Sequence, residues 1–219
     1  MTPQIEQALA MIHPGMAISL GGGRHMQQLA DAIVASALAN IRVNSPSELT
    51  LAYCQQIGLA VSPALTHYDI AFDGCDGCDA QFNLLKSNGG IFTYERLVAQ
   101  ASQAYVILTS ADKVTPILAA TIPLTIEALD AAAPAVAAVA GHYSCTWQRR
   151  VATTYMGYTR TRDGNGLYDL TASNWRNIAR IAAALTAIPG VVATSYCPQL
   201  ATTVLSEAAD GSVVAMNRG

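Results

Sequence analysis

The sequence predicts an α/β fold. It reads as a Rossmann-like open-sheet domain carrying an inserted ferredoxin-like (βαββαβ) α+β domain. Three observations lead there. A short apolar run, Met16 to Leu20, passes through Gly21-Gly22-Gly23 into helix-spaced residues from His25 to Leu38, the strand–turn–helix opening of an α/β unit. A later run, Tyr68 to Phe72, delivers Asp73 at its carboxyl end, where open α/β sheets hold ligands. After Pro123 the rhythm changes to strand, helix, strand, strand, helix, strand. The expected division is therefore residues 1–122 with 199–219 for the first domain and 123–198 for the second.

Each element has a local warrant. Gln4 to Ile12 reads as a helix stopped by Pro14-Gly15, and Leu49 to Cys54 as a second buried strand. Tyr94 to Ala104 reads as a helix and Tyr105 to Thr109 as a buried strand. In the second domain, Leu124 to Ala128 is strand-like. Ala131 to Ala140 is a helix whose first turn accommodates Pro134. Ser144 to Arg150 and Leu167 to Ala172 read as strands, with Asp163-Gly164-Asn165-Gly166 as turn chemistry between them. Asn174 to Ile188 is amphipathic and ends at Pro189-Gly190, and Val191 to Cys197 completes the set. Thr202 to Met216 reads as a hairpin turning at Asp210-Gly211.

Composition narrows function. The 219 residues hold 12 Lys plus Arg and 15 Asp plus Glu, a net charge of −3, with 12% charged and 52% apolar residues. That excludes intrinsic disorder and argues against a nucleic-acid partner, which needs a basic stripe. No apolar run is long enough to span a bilayer; Ala131 to Gly141 is short and contains Pro134. Five cysteines without a secretory leader read as reduced thiols, and hence a cytoplasmic protein. Lysine occurs twice, at Lys86 and Lys113.

The densest chemistry is Asp73-Gly74-Cys75-Asp76-Gly77-Cys78-Asp79, then Lys86-Ser87-Asn88-Gly89-Gly90, then Glu95. Clustered carboxylates beside a lysine suit general acid–base work, and glycine-loop amides suit an anion. The same residues also fit an acidic turn, a flexible loop and a helix-opening glutamate. Cys75 and Cys78 form a Cys-x-x-Cys, but no second ligand pair follows at zinc spacing, and three nearby carboxylates disfavour a reactive thiolate. No metal and no cofactor is expected. Ser45-Pro46-Ser47 reads as an ordinary turn.

These residues resemble the type A ribose-5-phosphate isomerase family. The family's Asp-Gly-Ala-Asp, Lys-Gly-Gly-Gly and Arg-Glu-Lys segments are matched by Asp73-Gly74-Cys75-Asp76, Lys86-Ser87-Asn88-Gly89 and Tyr94-Glu95-Arg96. Lys113, Ile122-Pro123-Leu124 with Glu127, Thr161 to Asp169 and Ile188-Pro189-Gly190-Val191-Val192 extend the likeness over nearly the whole chain. The resemblance implies a metal-independent aldose–ketose isomerase acting through an enediolate. In that reading Glu95 is the base and Lys86 stabilises the oxyanion. Asp76 moves protons between the oxygens, and Asp73 assists ring opening or orients hydroxyls. Gly22, Gly23, Arg24, His25, Ser87, Asn88, Gly89 and Lys113 are the expected substrate contacts, and the family implies a homodimer or homotetramer.

The departures concentrate on the substrate end. Where the family's first loop reads Gly-x-Gly-Thr-Gly-Ser-Thr, this chain has Ser19-Leu20-Gly21-Gly22-Gly23-Arg24-His25. Arg24 either clasps an anion with its planar fork or fills the site for a ligand that is not a phosphate ester. A non-catalytic sugar-phosphate-binding or regulatory paralogue is the alternative function. Other activities on a related fold, an amino-sugar deaminase or an acyl-CoA transferase, fit the inserted unit and the Asp-Gly-x-Asp segment less well.

Overall fold

Local signals set most element starts. The Thr2 hydroxyl accepts the Ile5 amide and Pro3 opens the first helix, α1 (Pro3–Ala10). There follow β1 (Ala17–Leu20), α2 (Arg24–Ala35), β2 (Arg42–Asn44), α3 (Glu48–Gln56) and β3 (Tyr68–Asp73). Two short strands, β4 (Gly77–Asp79) and β5 (Leu84–Leu85), precede α4 (Phe92–Gln100), β6 (Ser102–Ser110) and β7 (Val114–Thr115). The rest is β8 (Leu124–Ala128), α5 (Ala133–His142), β9 (Thr146–Arg149), β10 (Gly166–Thr171), α6 (Ile178–Thr186), β11 (Val191–Thr194), β12 (Tyr196–Cys197), β13 (Thr203–Glu207) and β14 (Val213–Asn217). This computed structural model describes residues 1–219.

By contact the chain forms two units: residues 1–75, 94–114 and 199–219, and residues 76–93 with 115–198. Segments 76–93 and 115–122, read from sequence as part of the first domain, therefore group with the second. The first unit is a doubly wound sheet in the order β14-β13-β6-β3-β1-β2. Its strands are parallel except β14, which pairs antiparallel with β13 at the edge. Ile18, Leu20, Phe72, Val106 and Leu108 of the sheet pack against Ile5, Met26, Leu29 and Ile33 of α1 and α2. The spacing of Met26, Leu29, Ala30 and Ile33 puts one face of α2 on that sheet.

The second unit contains the ferredoxin-like sheet, in the order β11-β8-β10-β9 with every pair antiparallel. Leu124, Ile126, Tyr168 and Leu170 meet Val136 of α5 and Ile181 and Leu185 of α6. Trp175 is fully buried there and donates its indole N–H to the Ile122 carbonyl at 2.8 Å, so its polar atom is satisfied inside the core. A small sheet has the order β12-β5-β4-β7.

Two sequence expectations are corrected. Leu49 to Cys54 is a helix, α3, and the strand beside β1 is the shorter β2. The mostly apolar run, broken only by Thr50, imitates a strand. However, the Ser47 hydroxyl accepts the Thr50 amide at 3.3 Å, and Glu48 sits in the positive first turn. Thr50 and Cys54, four residues apart, face the core, and Leu49 is exposed. Ser45 likewise serves the chain, its hydroxyl accepting the Ser47 amide. The second correction is that Val191 to Cys197 is two strands in different sheets. Ser195 lies between them, donating its amide to the Thr125 carbonyl at 2.8 Å and accepting the Lys86 amide at 3.0 Å. The strands after Asp76 were not anticipated, because two- and three-residue strands are too short to show a period.

Candidate active site

In the first unit β3 ends on Asp73, which is 3% exposed. The Tyr105 hydroxyl donates to one carboxylate oxygen at 2.9 Å and the Gly74 amide donates to the other at 2.8 Å. These bonds hold the carboxylate in one orientation. Gly21, at the end of β1, is bound through its amide to the Phe72 carbonyl at 2.8 Å. A Cβ on Gly21 would lie 2.1 Å from Asp73 Oδ1. The first glycine of the loop is therefore there to let the backbone approach the carboxylate. Gly23 has φ +97° and starts α2, a conformation a side chain would strain, although the space around it is open. Sequence reading singled out Gly22 and Gly23; the sterically constrained neighbour of Asp73 is Gly21.

Arg24 is the exposed first residue of α2, and His25 is half-buried. Burial pushes the His25 imidazole below its ordinary pKa, Arg24 and Lys113 push the same way, and Glu207 opposes them. The lowered pKa favours the neutral ring, which offers a donor and an acceptor instead of a charge. It lines a cavity of about 490 Å³ together with Gln4, Thr109, Ser110, Asp112 and Glu207, beyond the carboxyl ends of β6 and β13. Lys113 is exposed and donates to the Cys75 carbonyl at 3.3 Å, tying it to the turn after Asp73. Glu95, in the first turn of α4, is 7% exposed.

In the second unit Asp76 begins the segment leading to β4. Its carboxylate accepts the Asn88 amide at 2.9 Å and the Asn88 side-chain amide at 2.6 Å. Asn88, expected as a substrate contact, spends donors of both kinds on Asp76. Lys86 follows β5 and is 5% exposed. Ser87 is fully buried. Its hydroxyl donates to the Pro123 carbonyl at 2.5 Å and lies 2.9 Å from the Ser195 hydroxyl, so that side chain anchors the loop and does not face a ligand. Gly89 meets only Ile91, whereas Gly90 has φ +67° and a Cβ there would come 2.8 Å from Leu167. The loop's constrained glycine is thus Gly90.

The third carboxylate of the cluster is structural. Asp79 accepts the Gln81 and Asn83 amides and the Asn83 side chain, building the turn between β4 and β5. Glu127 likewise accepts the Thr93 hydroxyl and the Asn165 side-chain amide. All five cysteines are buried free thiols. Cys75 contacts the Thr109 hydroxyl and Cys78 the Asp79 carbonyl. Sequence reading missed Tyr105, the partner that fixes Asp73. It lies outside every motif, and its role depends on the register that pairs β6 with β3.

Gly21→Ala tests the close approach. The added methyl must displace the Asp73 carboxylate or the β1 turn, and the ribose 5-phosphate turnover that the family resemblance leads us to expect should fall at least about 100-fold. The substituted chain should keep its far-ultraviolet circular dichroism. Full turnover in Gly21→Ala would show that the contact is dispensable.

Residues 43–211 match the family model described as ribose 5-phosphate isomerase A (phosphoriboisomerase A). Among curated relatives, the ribose-5-phosphate isomerase A of Chloroflexus aurantiacus is 29% identical over 210 residues, 93% of this chain and 87% of that one. That of Parvibaculum lavamentivorans is 29% identical over 195 residues, 85% of this chain and 84% of that one. Solved structures agree in fold. A D-ribose-5-phosphate isomerase in complex with phospho-erythronic acid superposes with a TM-score of 0.91 at 21% identity, covering 98% of this chain and 96% of that one. The Methanocaldococcus jannaschii ribose 5-phosphate isomerase A gives 0.88 at 22% identity, over 98% and 96%. The ordered motifs from Asp73 to Glu95, the doubly wound sheet with its ferredoxin-like insertion, and these matches agree: the chain belongs to the ribose 5-phosphate isomerase A family.

Proposed function

We propose that this chain interconverts ribose 5-phosphate and ribulose 5-phosphate, with Glu95 as the base. The observation that carries the reading is that Asp73, Lys86 and Glu95, buried in a chain so poor in charge, stand at the matched positions of the family's ordered motifs, whereas the equally buried Asp79 and Glu127 are taken up by structural hydrogen bonds. Ionised groups are withdrawn from water at a cost of several kcal/mol each, and a fold retains them where the charge has work to do. The chemistry follows from the residue types. The Glu95 carboxylate takes the proton from C2 of the open-chain aldose, and the electron pair flows into an enediolate. Lys86 opposes the negative charge that develops on O1, an interaction stronger in the transition state than in the ground state. Asp76, oriented by Asn88, passes a proton between O2 and O1. Glu95 then returns its proton to C1, leaving the ketone at C2. Asp73, fixed by Tyr105, orients sugar hydroxyls or assists ring opening. The positive charge at the oxyanion is supplied by Lys86 itself, so this route calls for no metal and no cofactor. Arg24, the amides of the first turn of α2 and Lys113 are the proposed anion contacts.

Incubation of the purified protein with ribose 5-phosphate should yield ketose. Glu95→Gln should lower kcat by about 10²–10⁴-fold, the usual contribution of a positioned base. Turnover that survives Glu95→Gln would sink the base assignment. Tight binding of the sugar phosphate with no turnover by the unaltered protein would favour the non-catalytic paralogue.

The proposed setting is a cytoplasmic homodimer. Val151, Tyr155, Met156 and Tyr158 expose apolar surface along one segment, the kind of patch a second copy covers. Sedimentation should give twice the 22.9 kDa chain mass, and a single-chain mass at micromolar concentration would overturn the assembly.

A further inference from the structure

We infer that Arg150 is a positioning residue for the isomerisation proposed above: its guanidinium fixes the Lys86–Asn88 loop and, through one peptide unit, the Asp76 carboxylate. The inference rests on that functional reading. Arg150 follows β9, and its side chain is largely withdrawn from solvent, as is that of Asp169. Nε donates to Asp169 Oδ2 at 2.9 Å, and Nη2 donates to Asp169 Oδ1 at 2.5 Å. This bidentate fork sets the plane of the guanidinium. The remaining donors reach two consecutive loop carbonyls, Ser87 O from Nη2 at 2.8 Å and Asn88 O from Nη1 at 3.2 Å. Thr125 Oγ1 completes the cluster, accepting from Nη2 at 2.9 Å and donating to Asp169 Oδ1 at 2.6 Å. Asp169 and Thr125 face each other in the register of β10 and β8, so the clamp is mounted on the ferredoxin-like sheet.

The decisive geometry is a single peptide. The Ser87 carbonyl and the Asn88 amide belong to one planar unit and point in opposite directions. The carbonyl end meets Arg150 at 2.8 Å and the amide end donates to Asp76 at 2.9 Å. Turning that plane to suit Asp76 breaks the bond to Arg150, and the reverse holds. Polarisation by the guanidinium also strengthens the amide as a donor to the carboxylate. Lys86 lies one residue before this plane, so its backbone direction is set by the same clamp. A lysine at 150 would keep the charge and lose the fork.

The test separates positioning from general stability. In Arg150→Ala, kcat should fall roughly 10- to 100-fold with KM within about threefold, the scale of outer-shell partners. Low-millimolar guanidinium should restore part of kcat, and Arg150→Lys should remain impaired. Hydrogen–deuterium exchange should accelerate in peptides covering residues 84–92 while β8 and β10 stay protected. That measurement needs no turnover and stands even if the isomerase assignment fails. Asp169→Asn offers a second route with little change in volume and should shift kcat and loop exchange in the same direction. Unchanged kcat in a folded Arg150→Ala chain, or faster exchange spread evenly over residues 76–93 and 115–198, would overturn the proposal.

Discussion

The constraint on which the rest depends is the burial of charge. This chain is only 12% charged, yet Asp73, Lys86 and Glu95 are all more than nine-tenths withdrawn from solvent. Taking an ion out of water costs far more than one ordinary hydrogen bond returns, so each buried group must be over-determined by its surroundings. For Asp73 the surroundings are Tyr105, the Gly74 amide and the open space that Gly21 leaves. Asp76, which is only half-buried, is held by both kinds of donor on Asn88, whose own peptide is bound from the other side by Arg150. Orientation, more than proximity, is what these contacts supply. A carboxylate that must exchange protons with a particular oxygen needs a fixed lone-pair direction.

The two glycine loops illustrate how the backbone is used for the same end. Glycine-rich segments invite an anion-cradle reading, and the start of α2 at Arg24 offers first-turn amides for that chemistry. Yet the position where a Cβ would clash in the first loop is Gly21, against a carboxylate, and in the second it is Gly90, against the end of the Leu167 side chain. At these positions the glycine serves close packing, against a carboxylate in one loop and a leucine in the other. The half-buried His25 and the carboxylates of Asp112 and Glu207 give the cavity beyond β6 and β13 an acceptor-rich lining. It differs in character from a simple phosphate nest of amides and hydroxyls.

Much of this was legible in the sequence. The alternation of elements after Pro123 gave the ferredoxin-like order, because each strand and helix there carries its own period and its own turn residues. The catalytic candidates were legible because scarcity of charge makes a cluster conspicuous and because their order matches a family. What was not legible required tertiary information. Leu49 to Cys54 has the apolarity of a strand, and a single cap at Ser47 turns it into a helix. Tyr105, Arg150 and Ser195 sit in unremarkable surroundings along the chain, and only strand register and chain reversal bring them to Asp73, Ser87 and Lys86 respectively. Ser87 is a substrate contact only by family resemblance, and its hydroxyl is turned into the core, where its partners are the Pro123 carbonyl and Ser195.

The central claim is proton transfer through an enediolate by a carboxylate that exchanges with water. The most direct measurement is isotopic. Unlabelled ribose 5-phosphate is held with the enzyme in deuterium oxide until the aldose and ketose reach equilibrium and well beyond. Repeated abstraction and return should then place deuterium at C1 of the ketose and at C2 of the recovered aldose, read by mass and proton resonance. Interconversion that reaches equilibrium with no deuterium at either carbon would mean that hydrogen moves directly between the carbons as hydride, and would contradict the account.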